Sequence, residues 1–135
     1  MAACSAPAKP VAPPVVAIPI DAAPAIDAVP DAPAIPSGDL ANGKLLSDQK
    51  ACTSCHTLDG TVRVGPSWLN LWDSDEKLED GRTAHVDAAY IRKSIVDPLA
   101  DIVAGFPHAM PSYAQTLTDQ EIDDLATYIY SLRRQ

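Results

Sequence analysis

The sequence predicts a small all-α domain over residues 37–135, wrapped round one covalent prosthetic group and preceded by a disordered Pro/Ala-rich tail over 1–36. Three observations predict it. The composition divides sharply: nine of the thirteen prolines fall in 1–36, whereas 37–135 holds nine basic and fifteen acidic residues. Within 37–135, apolar residues recur at helical spacing behind capping signals, and the stretches between are too short for a substantial sheet. Near the domain's start stands Cys52-Thr53-Ser54-Cys55-His56, the Cys-x-x-Cys-His attachment signature of c-type haem.

The tail reads as a tether. Its phrases repeat loosely, as in Pro19-Ile20-Asp21-Ala22-Ala23-Pro24 and Ala25-Ile26-Asp27-Ala28-Val29-Pro30. Prolines every few residues exclude helix and supply no sheet ladder, which leaves polyproline-like extension. Its one cysteine, in Met1-Ala2-Ala3-Cys4-Ser5, resembles the end of a bacterial lipoprotein signal, though the basic and apolar regions that normally precede it are missing. Cys4 is therefore a candidate lipid anchor, set against a chance cysteine in a flexible tail.

The folded part begins near Ser37. Ser37 or Asp39 can cap a first helix running to about Gln49 or Lys50, with Gly43 inside it at a cost of about 1 kcal/mol relative to alanine. A close helix crossing would justify that glycine. The haem motif follows directly. Two thiols three positions apart can reach both vinyl groups on one porphyrin edge, and the next residue sets an imidazole under the iron. A thioredoxin-like pair would need a strand before Cys52, and a zinc site would need a second ligand pair, for which only the scattered Cys4, His85 and His108 remain.

Thr57-Leu58-Asp59-Gly60 is a turn, and Gly65-Pro66 breaks any helix beyond it. The Pro66 carbonyl could accept from the second ring nitrogen of His56, and Trp68, Leu69 and Leu71 are expected to cover the haem. Asp73 to Asp80, with five acids and one lysine, reads as a solvated loop or short helix, and Gly81 to Val86 as a small hairpin. Asp87 then caps a helix through Tyr90, Ile91 and Ile95 that Asp97-Pro98 ends. Thr118-Asp119-Gln120-Glu121 is a capping box flanked by Leu117 and Ile122 at staple positions. Ile122, Leu125, Ala126, Ile129 and Leu132 form the apolar stripe of the last helix, with Tyr128 beside it and Arg133 and Arg134 favourably placed for its dipole.

Met110 is the only methionine of 37–135, in the proline-braced stretch Gly105-Phe106-Pro107-His108-Ala109-Met110-Pro111-Ser112-Tyr113. A thioether favours ferrous iron and raises the potential, so Met110 is the expected sixth ligand opposite His56. An isolated methionine is ordinarily a core gap-filler. His108 is the rival ligand and His85 a weaker one, a surface role being expected of both.

Together these residues resemble a class I cytochrome c, closest to the cytochrome c domain fused to subunit II of caa-type cytochrome oxidases. The phrases that carry the likeness are Cys52 to Gly60, Val64-Gly65-Pro66-Ser67, Leu78 to Thr83, Asp87 to Ile95 and Gly105 to Tyr113, in that order. The resemblance implies that Cys52 and Cys55 bind one haem c, that His56 and Met110 are its axial ligands, that Pro66 bonds to His56, and that Gly43 packs near Leu125 and Tyr128. It departs from that subunit in having no apolar run of about 20 residues and no cysteine pair left for a dinuclear copper centre. Either this is the domain freed from its oxidase, or a separate tethered protein that has kept it; the tail and Cys4 favour the second.

The expected function is therefore a monomeric, mono-haem electron carrier working by outer-sphere transfer, with redox proteins as partners, a membrane respiratory complex such as a terminal oxidase among them. The alternative is a haem enzyme or gas sensor with an open sixth position, for which no convincing distal His and Arg pair exists. A structural haem module inside a larger oxidoreductase is a third reading. Haem is attached outside the cytoplasm, so a periplasmic or extracytoplasmic site is expected, with Cys4 as tether. Residues 37–135 carry a formal −6, which argues against nucleic acid and for a basic docking patch on the partner.

Overall fold

Three helices, one 3₁₀ turn and one hairpin make up the fold of residues 35–134, the residues described in a computed structural model of the chain. The tail and Cys4 lie outside the described residues. Helix α1 spans Leu40–Gln49, the 3₁₀ turn Cys52–Ser54, strands β1 and β2 Asp75–Lys77 and Thr83–His85, and helices α2 and α3 Ala88–Val96 and Asp119–Ser131.

Each helix begins where its sequence supplies an acceptor for orphan N–H groups. Asp39 caps α1 by accepting from Asn42 N–H at 2.9 Å, and Asp87 caps α2 by accepting from Tyr90 N–H at 2.8 Å. Thr118 and Glu121 close the expected reciprocal capping box on α3. The stripe on α3 is the centre of the core: Ile122, Leu125, Ala126, Tyr128 and Ile129 are all buried, together with Leu46, Trp68, Leu71, Trp72 and Val86. Arg133 and Arg134 fall just past the helix rather than in its last turn. Arg133 still reaches back, donating to the Tyr130 carbonyl at 3.0 Å with its guanidinium 3.4 Å over that ring.

Helix α1 crosses α3 at Gly43. A Cβ there would lie 2.0 Å from the Asp124 carbonyl oxygen and 3.0 Å from Tyr128 Cβ, so only glycine lets the two backbones meet. The same crossing buries a carboxylate. Asp124, 2 % exposed, accepts from Asp39 N–H at 2.7 Å, Asn42 Nδ2 at 2.7 Å and Gln120 Nε2 at 2.9 Å. Burial pushes this carboxyl up, but the hydrogen bonds from Asn42, Gln120 and the Asp39 amide outweigh it and hold it below the usual carboxylate range. Its ionised form therefore stabilises the fold above the unfolded-state value, and that contribution is lost as pH falls through the lowered folded value. Asp124→Asn should cost about 1–3 kcal/mol at neutral pH, and the gap to the parent should close in acid. Unfolding midpoints across pH check this; a gap independent of pH would contradict it.

The acidic stretch is turn at both ends, as the loop reading expected, but strand in its middle. Asp75, Glu76 and Lys77 pair antiparallel with His85, Ala84 and Thr83, so the hairpin starts ten residues before His85 rather than at Gly81. The turn is set by Gly81 at φ +87° and by Asp80 accepting from Arg82 N–H at 2.9 Å. Its strands have no buried residue, which is why charged side chains suit them. Leu78, 3 % exposed, anchors it to the body.

Candidate functional site

Helix α1 delivers the cysteine motif through an abrupt turn. Lys50 ends the helix and Ala51 takes a left-handed conformation at φ 54°, redirecting the chain. The next residues wind into one tight turn, with Cys55 N–H and His56 N–H both donating to the Cys52 carbonyl at 3.2 and 3.0 Å. Both cysteines are free and half-buried. Burial pushes the Cys52 thiol up. The motif follows a helix and not a strand, which separates it from a thioredoxin-like pair. Among the described residues, no group of three or more His, Cys, Asp or Glu could hold a bare metal ion.

His56 is fixed on three sides. Its Nδ1 donates to the Pro66 carbonyl at 2.8 Å, leaving Nε2 as the free, basic nitrogen. Its ring stacks on Trp68 at 5.3 Å between centroids and 22° between planes. Gly65 closes the remaining side, since a Cβ there would lie 2.6 Å from Cε1. Burial lowers the His56 pKa while the Pro66 carbonyl raises it, the net shift being downward. Neutral imidazole, the metal-ligating form, is thereby favoured.

These groups open onto one cavity of about 340 Å³, lined by Cys52, Cys55, His56, Pro66, Trp68 and Met110 and walled on one side by apolar side chains of α2 and α3. The volume and largely apolar lining fall within the range of cofactor sites. Ile91 and Ile95, one turn apart on α2, and Leu125 and Ile129, likewise on α3, face it. Both thiols, one imidazole and one thioether on a single apolar cavity match the donor set of a covalently held haem. The residues fit the group.

The rival histidines sit elsewhere. His108 Nε2 donates to Glu79 Oε2 at 2.8 Å on the surface. His85 lies between Asp75 and Asp73 at 2.9 and 3.2 Å, and the Asp75 hydrogen bond raises its pKa. Neither lines the cavity. Leu69 is corrected as a cover for the haem: it is absent from the lining and packs instead towards Gly60, where a Cβ would lie 3.7 Å from its Cδ2. The cause is a tight turn, with Leu71 N–H donating to the Trp68 carbonyl at 3.3 Å and Asn70 at φ 59°, which turns Trp68 and Leu71 inward and Leu69 away. Sequence reasoning did not single out Ile102, Val103, Phe106 or Tyr113 as lining residues. The first three come from an irregular segment without periodicity and carried no signal; Tyr113, beside a proline-braced methionine, carried a weak one.

A model of the cytochrome c family matches residues 40–133. The chain belongs to the cytochrome c family. Among solved structures it is similar to cytochrome cH from Methylobacterium extorquens, with a TM-score of 0.50 and 21% identity over 70% of this chain and 99% of that one. That likeness shows the small class I cytochrome c fold, with a two-stranded hairpin added to the helices. A search of curated proteins returned no match. As a cytochrome c family member the chain carries covalently bound haem c and serves electron transfer.

Proposed function

We propose that this cytochrome c is a mono-haem, one-electron carrier in which Cys52 and Cys55 would hold the haem through thioether bonds and His56 and Met110 would bind its iron. The observation that carries the reading is the shared cavity: of the three histidines among the described residues His56 alone lines it, and Met110, the one methionine among them, lines it too. When bound, haem c supplies an iron couple that changes by one electron. The protein's part is to keep that change cheap. Pro66 and Gly65 lock the imidazole and Trp68 packs on it, so the His56 ring is held in place when the electron passes.

The same reading places the chain near the cytochrome c domain of caa-type oxidase subunit II, exchanging electrons with a membrane respiratory complex from an extracytoplasmic position. No helix of the described residues is long and apolar enough to cross a membrane. A lipidated Cys4 and the proline-rich stretch behind it would supply the tether and raise the local concentration of the domain near its partners. The acidic balance of 37–135, fifteen acids against nine bases, supports a basic partner surface.

Covalent attachment provides the test. The parent protein should retain its haem in acidified organic solvent, and Cys52→Ala combined with Cys55→Ala should release it. Retention by the double variant would reject the assignment of the thiols.

A further inference from the structure

The β1–β2 hairpin contributes almost nothing to the core, yet it is tied to the segment that leads to Met110. The Lys77 carbonyl accepts from Ala104 N–H at 2.8 Å, and Glu79 N–H donates to the Ile102 carbonyl at 2.9 Å. Between them Leu78 and Val103 face each other as an antiparallel bridge. Residues 102–104 are thus tied to the hairpin by one isolated bridge and the two hydrogen bonds that flank it. A second tie is made by side chains, because His108 donates from Nε2 to Glu79 Oε2 at 2.8 Å. Glu79 therefore holds the segment twice, by its backbone at Ile102 and by its carboxylate at His108.

Beyond Met110 the chain is anchored to helices. Ser112 Oγ donates to the Val96 carbonyl at 2.6 Å and Tyr113 N–H to the Ile95 carbonyl at 3.0 Å, both at the end of α2. The Tyr113 hydroxyl reaches the Lys50 carbonyl at 3.2 Å, beside the cysteine motif. Met110 is carried between a helix-borne anchor on one side and a hairpin-borne anchor on the other.

We infer that the hairpin is a brace for the Met110 segment, with Glu79 as a positioning residue that acts through His108 to hold the thioether in the cavity. The inference rests on the reading of Met110 as axial ligand. A ligand on an irregular segment keeps its geometry only if supporting bonds fix that segment. The Glu79–His108 pair is solvent-exposed on both sides, with 50% and 56% of the side chains accessible. Such a pair adds little to global stability. Its effect is local, on how often the segment opens and uncovers the sixth position.

The test measures imidazole binding to the oxidised, haem-loaded protein, with amide exchange at Ala104 and Ala109 as a second readout. Glu79→Ala and His108→Ala should each speed imidazole binding about two- to five-fold, the range an exposed pair can supply. The double variant should be no faster than either, both amides should exchange faster, and the unfolding midpoint should barely move. Unchanged binding in Glu79→Ala, with faster binding in Met110→Ala, would overturn the brace and leave the ligand reading standing. Unchanged binding in Met110→Ala would overturn the ligand reading and the brace with it.

Discussion

Replacing Met110 by alanine is expected to leave the haem attached, to lower the reduction potential, and to let cyanide or imidazole bind at once. The attachment rests on Cys52 and Cys55, which precede the substitution by more than fifty positions and belong to a turn closed by its own hydrogen bonds at 3.0–3.2 Å. On the proposed reading, the sixth position would rest on the Met110 sulfur. Removing it withdraws the ligand that favours ferrous iron, so the potential falls by a sizeable part of the roughly 0.8 V that axial ligation spans. Neither rival histidine stands ready. His108 is engaged with Glu79 at 2.8 Å, and neither it nor His85 lines the cavity. Spectroelectrochemistry and stopped-flow ligand binding check both effects; an unchanged potential and spectrum would reject Met110 and return His108 to consideration.

The second large effect is structural. Gly43→Ala should destabilise the protein by about 3 kcal/mol, the upper end of overpacking costs, and lower its melting temperature by roughly 12–24 °C. In an exposed helix the same change would stabilise by about 1 kcal/mol, so the sign alone is informative. The added methyl would meet the Asp124 carbonyl oxygen at 2.0 Å and its carbon at 2.5 Å. Both are backbone atoms of α3 and cannot rotate aside. The helices would have to part, and the Asp124 hydrogen bonds to Asp39 and Asn42 at 2.7 Å would stretch with them. Calorimetry on parent and variant decides it; an equal or higher melting temperature would show that the helices do not meet at Gly43.

The elements legible in the sequence are those fixed by neighbours along the chain. The caps at Asp39, Asp87 and Thr118 each bond to a residue three positions on, so spacing alone revealed them. The cysteine motif is local for the same reason. The bond from His56 to Pro66, ten residues apart, was legible from chemistry, because a ligating imidazole needs an acceptor at its second nitrogen. The hairpin was misread because Asp75, Glu76 and Lys77 have neither β-branching nor alternation; the pairing is set by the Gly81 turn and by the anchor Leu78, which finds Val103 twenty-five residues away. Leu69 was misplaced because a left-handed Asn70 reverses the direction that a regular period would give. Asp124 could not be recognised as a buried anchor, since its partners Asp39 and Asn42 come from the other end of the domain.

In the proposed reading one covalently held haem, its iron bound by His56 and Met110, would pass single electrons. A spectroelectrochemical titration of the haem-loaded protein tests it most directly. One reversible one-electron wave is expected, with low-spin spectra at both ends and, in the oxidised form, a methionine–ferric charge-transfer band that disappears in Met110→Ala. A high-spin oxidised spectrum that takes up imidazole without delay would mean the iron is open, and would contradict the carrier.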